Sequence, residues 1–300
     1  MPEDRIFDEK TRRKLEQVML MSSRVRAGAM KGERRSTRRG TSIEFADYRN
    51  YTRGDDLRRL DWNIYARLQR PYIKLLEDEE DLAVHILLDT SASMDWPRES
   101  AVYDQNKFVF ARRLAAGLAY TSLTTNDRML LTAVGGSGAQ SFGPARGRAR
   151  GIAMLDFVGS LKTSGVTDLN IVLRDYALRS RRPGLLFVIS DMFSPSGHMD
   201  GIIALMSKGY EVVVLHVLSP DEVSPPLNGD LRLIDVETDT PQEVTVDAAM
   251  REIYTLRLNA WRDDIRLEVM RRGGHYLFTE TSIPWERIIL QDLRRVGLLK

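Results

Sequence analysis

Residues 87–95 read LLDTSASMD: an apolar run stops on Asp89, and Ser91 and Ser93 follow at alternate positions. Two further stretches carry groups of the same kind. SGVTD, 164–168, sets Thr167 just ahead of a helix predicted from Leu169, and VISDMF, 188–193, sets Asp191 directly after another apolar run. Together they offer two carboxylates and three hydroxyls, all hard oxygen donors, without a histidine. That chemistry suits magnesium or manganese, which favour octahedral oxygen sites and keep some of their waters. Neutral hydroxyl ligands offset little of the ion's charge, so it would seek one more anionic oxygen from outside; such a site is a binding socket. The alternative is local: Asp89 and Asp191 as helix caps, the serines as turn formers and Thr167 as the cap of the helix at 169.

A socket of this kind needs strand ends gathered at one edge. After residue 80, apolar and partly β-branched runs at 83–88, 129–134, 185–190, 212–218 and 275–278 alternate with helical patterns at about 104–124, 148–161, 169–181, 198–208 and 247–271, and a last helix runs from Pro284 to about Arg295. Strands that are apolar without alternation are covered on both faces. The pattern predicts an α/β fold, a doubly wound and mostly parallel sheet with helices on both faces, over 81–300. Ligands bind such sheets at the carboxyl ends of the strands. The glycine-rich 135–147 is expected to fold back as an edge hairpin. A second hairpin is expected as an insertion near 224–249, with Asp239, Thr240 and Pro241 at its turn.

Residues 1–80 form a separate N-terminal extension of helix and β structure in this reading. Leu15, Val18, Met19, Met21 and Val25 give a helical spacing within 8–30, followed by a basic stretch. Strands at about 43–51 and 72–77 flank a helix with the stripe Leu57, Leu60, Ile64 and Leu68, capped by Asp55 or Asp56 and closed by Pro71. Arg58 and Asp61 are spaced to pair along that helix, and Trp62 is expected to anchor it by burial.

D-x-S-x-S at 89–93, G-x-T at 165–167 and the strand-terminal Asp191, in that order on an alternating α/β chain, resemble the metal-ion-dependent adhesion site of a von Willebrand factor A domain at all five positions. Upstream, EFADYRNYTRGDD and LDWNIYAR resemble the opening of the bacterial domain-of-unknown-function family 58. The first resemblance implies Ser91, Ser93 and Thr167 as direct ligands of Mg2+ or Mn2+, with Asp89 and Asp191 reaching the ion directly or through water. It also implies a protein partner that supplies an Asp or Glu, with Met94 and Asp95 beside the site as partner contacts. The second implies a MoxR-type AAA+ ATPase as partner and an adaptor or chaperone-like role without enzymatic activity. Many members of that family carry membrane helices ahead of this segment.

Composition narrows the remaining classes. The 300 residues are 43% hydrophobic, enough for a full core, and 44 basic against 42 acidic side chains leave a net charge of +2, which demands neither nucleic acid nor an anionic membrane. The basic stretch 24–39 has no aromatic interleaving, so nucleic-acid binding is only an alternative. A phosphatase using Asp89 is another, but the second carboxylate such enzymes carry two residues on is Ser91 here. Ser137 in GGSGA misses the nucleophile-elbow pattern at Ala139, and no Walker A motif occurs. There is no cysteine, no apolar N-terminal leader and no stretch near the roughly 18 apolar residues of a membrane span, so the expectation is a soluble cytoplasmic protein.

Overall fold

The computed structural model describes residues 6–22, 43–52, 60–78, 82–98, 104–136, 138–179, 182–234 and 241–300. The chain divides into two compact units, residues 24–81 and the remainder, 1–23 with 82–300.

In the smaller unit, β1 (Ile43–Asn50) pairs antiparallel with β2 (Tyr72–Asp78), and a short helix, Trp62–Leu68, lies between them in the chain. Asp61 caps that helix by accepting from the N–H groups of Asn63 and Ile64 at 2.9 and 3.1 Å, and Gln69 ends it in a left-handed conformation. The helix therefore starts at Trp62, and Asp55, Asp56 and Arg58 lie outside the described residues. Trp62 does not anchor it: the residue is 62% exposed and meets the edge of Tyr65, while Leu60 and Ile73 supply the buried contacts.

The larger unit is built on a six-stranded sheet. In chain order its strands are β3 (Ala83–Asp89), β4 (Arg128–Gly135), β5 (Gly138–Ala145), β6 (Leu185–Ser190), β7 (Glu211–Leu218) and, after an intervening hairpin, His275–Glu280. The spatial order runs from His275–Glu280 through β7, β6, β3 and β4 to β5. All neighbours are parallel except β5, which returns antiparallel along β4 as the predicted edge hairpin; Ser137 lies outside the described residues.

The helices of this unit are α1 (Glu9–Leu15), α3 (Lys107–Thr124), α4 (Gly151–Ser160), α5 (Leu169–Arg179), α6 (Met199–Ser207), α7 (Pro220–Val223) and α8 (Ala248–Arg271), with α2 denoting Trp62–Leu68 of the smaller unit. Successive strand residues point to opposite faces. Leu186 and Val188 join Leu87, Val212 and Val214 in one cluster with α5, α6 and α8, whereas Leu185, Phe187 and Ile189 are fully buried without belonging to it. α3, which packs on β3, β4, β6 and β7 and is buried nearly all round, covers that second set. Both faces of the central strands are thus covered, an arrangement compatible with a doubly wound α/β fold.

The inserted hairpin is β8 (Gly229–Ile234) with β9 (Pro241–Val246), so Pro241 opens the second strand and Asp239 and Thr240 lie outside the described residues. His275–Glu280 is β10. After it, one helical turn at Trp285–Arg287 widens into a looser turn over Ile288–Leu293. The first helix is shorter than its apolar spacing suggests. It ends at Leu15 because Leu20 forms an antiparallel bridge with Leu299, Met19 exchanges backbone hydrogen bonds with Lys300, and Met21 N–H donates to Leu298 O. Glu16 also accepts from the Tyr120 hydroxyl at 2.7 Å. Residues 1–23 consequently group with the sheet unit and not with a 1–80 segment.

Candidate metal centre

Three loops meet at the carboxyl edge of the sheet. The first leaves β3 at Asp89, the second precedes α5 and the third leaves β6 at Ser190. Backbone hydrogen bonds join the first two: Ser164 N–H donates to Thr90 O at 2.8 Å and Ala92 N–H donates to Gly165 O at 2.8 Å. Gly165 has φ +59° and lies against Gly136, where a β-carbon on either residue would approach the other's Cα to 2.6–2.8 Å. The two glycines back to back let the second loop close on the β4–β5 turn, where Gly136 N–H donates to Ser164 O at 2.9 Å. The second and third loops join where Leu169 N–H donates to Ser194 Oγ at 3.0 Å.

Within this frame Asp89 is almost completely buried. Its Oδ1 accepts Ser91 N–H at 2.9 Å and its Oδ2 accepts the Ser190 hydroxyl at 2.6 Å. Ser91 Oγ lies 3.0 Å from Ser93 Oγ, and Ser93 alone of the five predicted site residues is appreciably open to solvent. Asp191, fully buried, accepts Phe193 N–H through Oδ1 at 3.0 Å and the Lys107 ammonium through Oδ2 at 2.6 Å. Burial and then the neighbouring Asp191 carboxylate push the Asp89 carboxyl up to about 6. Lys107 already compensates Asp191, so the carboxylate that a further positive charge would relieve is Asp89.

Thr167 supplies the second sign of a missing partner. It is 2% exposed, and its Oγ1 has no hydrogen-bond partner among the described residues. Asp168, not Thr167, caps α5, accepting Ile171 N–H through its side chain at 3.1 Å. A buried hydroxyl left unpaired costs about 1–3 kcal/mol. It fits a ligand role better than a capping one. Among the described residues no three His, Cys, Asp or Glu side chains cluster to hold a metal, so an ion here would rest on hydroxyls and the two aspartates. The residues present fit magnesium or manganese in the hard oxygen character of their donors.

Of the two residues expected to touch a partner, Met94 is fully buried, which leaves it no surface for that contact. Asp95 is partly open, with one carboxylate oxygen accepting the Asn106 amide at 3.0 Å and the other paired with Arg98 at 3.2 Å.

Three participants are absent from the sequence reading. Ser190 bonds Asp89, and Lys107 joins Asp191 to Glu222 at 2.6 Å on each side. The signal for Lys107 was a lysine in the first turn of an apolar helix, directly after the Asn106 cap, where the helix dipole disfavours positive charge. His85 and His216 lie within strands, as their apolar surroundings suggest. His85 bonds Tyr176 and Arg182 O, and His216 bonds Tyr276.

A family model described as "Protein of unknown function DUF58" matches residues 47–263. The chain is 29% identical over 279 residues to the uncharacterized protein Rv1480 of Mycobacterium tuberculosis H37Rv, covering 91% of this chain and 86% of that one. It is 31% identical over 121 residues to the uncharacterized protein MAV169 of Mycobacterium avium, covering 40% of this chain and 71% of that protein. Among solved structures it is similar to the conserved hypothetical protein BatB of Bacteroides thetaiotaomicron, with TM-score 0.44, 19% identity, and 72% of this chain and 98% of that chain covered. An aerotolerance-related membrane protein of Bacteroides fragilis gives TM-score 0.43 at 20% identity, covering 71% of this chain and 99% of the other.

Proposed function

The chain belongs to the DUF58 family, and we propose that its carboxyl-edge cluster is a metal-ion-dependent docking site for another protein, of the von Willebrand factor A kind. Ser91, Ser93 and Thr167 would hold Mg2+ or Mn2+, with Asp89 and Asp191 contributing directly or through water. The ion's role is electrostatic: it offers an open position to an Asp or Glu of the partner. The observation that carries this reading is the buried Thr167 hydroxyl, unpartnered among the described residues, in a loop bonded to the one that bears the Asp89 carboxyl, itself raised to about 6.

The loops also suit a protein ligand. Each bears a large apolar residue in solvent close to its site residues: Trp96 in the first at 39% exposed, Val166 in the second at 40% and Phe193 in the third at 38%. Exposed aromatic side chains are enriched in protein-binding patches relative to the rest of a surface. The partner class we propose is a MoxR-type AAA+ ATPase, with this chain as a cytoplasmic adaptor. Among the described residues no helix is long and apolar enough to cross a membrane. The test is capture of the purified ATPase by the full chain in 5–10 mM Mg2+, about the order needed to saturate a weak site, against EDTA and against Asp89→Ala. Capture that is lost in both controls supports the reading; capture that survives both contradicts it.

A further inference from the structure

Lys107 is one of the largest fully buried side chains among the described residues, and its ammonium lies 2.6 Å from Asp191 Oδ2 and 2.6 Å from Glu222 Oε1. Two carboxylates at contact distance keep that ammonium charged despite its burial. Glu222 is fixed independently of Lys107. Its Oε2 accepts Ser219 N–H at 2.8 Å in the capping box of α7, and its backbone carbonyl accepts the Tyr254 hydroxyl of α8 at 2.5 Å. One lysine thus divides its charge between a carboxylate of the candidate site and a carboxylate anchored outside it.

We infer that Lys107 and Glu222 set the affinity of the carboxyl-edge site for a divalent ion, Lys107 holding it down and Glu222 relieving part of that effect. The inference rests on the metal-site reading above. A dication approaching Asp191 meets a carboxylate already compensated by an ammonium at contact distance, and it is itself repelled by that ammonium. Asp89 is left as the uncompensated negative group, and the ion gains fully only when an outside carboxylate arrives. The site would bind metal weakly alone and firmly in a complex. Glu222 draws Lys107 toward α7, so its charge does not fall wholly on Asp191.

The two residues should act in opposite directions, which a purely structural ion pair would not do. Mn2+ alone is titrated calorimetrically into the full chain, Lys107→Met and Glu222→Gln, each checked for folding by its melting transition. Lys107→Met should bind at least about tenfold more tightly and Glu222→Gln at least about threefold more weakly than the unaltered chain. If the unaltered chain binds Mn2+ and both variants bind equally well, or both shift the same way, the inference is overturned while the metal site stands. If none of the three binds Mn2+, the site reading itself fails. Should Lys107→Met not fold, Glu222→Gln decides alone: unchanged or tighter binding refutes the inference.

Discussion

Ser190 donates its hydroxyl to Asp89 Oδ2 across 2.6 Å, joining the last residue of one central strand to the last residue of its neighbour. The same oxygen atom of Ser190 accepts Met192 N–H at 2.9 Å, so the bond also fixes the turn that presents Asp191. Met192 is held there at φ +62°. Ser190→Ala should therefore raise the Asp89 carboxyl further and loosen the third loop. We expect a loss of about 1–3 kcal/mol at pH 7, read from denaturant unfolding, and a smaller loss near pH 4, where Asp89 is protonated in both proteins.

Asp89 itself works against the metal-free fold. Its carboxyl is pushed up to about 6 from 3.8, so its favourable contribution is complete below 3.8 and is lost as pH rises through 6. Asp89→Asn removes the buried charge and keeps the shape. In EDTA at pH 7.5 the variant should be more stable than the unaltered chain by about 1–3 kcal/mol, and the advantage should vanish near pH 4. A variant less stable at both pH values would contradict the burial argument.

The histidines respond to acid with the opposite sign. Burial lowers His85 to about 4 and His216 to about 3, so the stability each lends is present above 6.5 and is lost as pH falls toward those values. For His85 the neutral form is fixed by its partners. Nε2–H donates to Arg182 O at 3.0 Å, and Nδ1 accepts from the Tyr176 hydroxyl at 2.7 Å. His85→Gln should remove up to about 3 kcal/mol of the stability difference between pH 7 and pH 4; an unchanged pH profile in chemical denaturation would show that His85 is not the group titrating.

Gly165 gives a test of the loop frame that does not touch a charge. An alanine there meets both a left-handed backbone and the Cα of Gly136. Gly165→Ala should cost more than about 1 kcal/mol and weaken Mn2+ binding, because the second loop carries Thr167. A variant with unaltered melting and binding would show that the loops tolerate separation.

The strand and helix alternation was legible because the central strands are apolar on both faces and the helices between them have clear start signals such as Asn106 and Asp247. The loops that carry the five oxygen-bearing residues were legible because each of these residues lies within four residues of a strand or helix end. Lys107 and Glu222 were not, since they reach the site from the starts of α3 and α7, and only packing brings those ends to Asp191. Met94 and Trp62 mark a different limit. Residue type says that each has apolar surface to bury, but the pitch of one short turn decides which side faces inward: Met94 is buried and Trp62 is not. The early end of the first helix depends on the pairing of Leu20 with Leu299, a contact nearly the whole chain apart.

The most direct test of the metal site uses Thr167, whose hydroxyl is buried and unpartnered among the described residues. The unaltered chain and Thr167→Val are melted in EDTA and in increasing Mn2+. Thr167→Val should melt as high as the unaltered chain or higher in EDTA, since it removes an unsatisfied hydroxyl, and Mn2+ should stabilise the unaltered chain by about 1.4 kcal/mol at ten times its dissociation constant while leaving the variant nearly unmoved. No Mn2+-dependent rise in the unaltered chain, or an equal rise in both, would contradict the metal site.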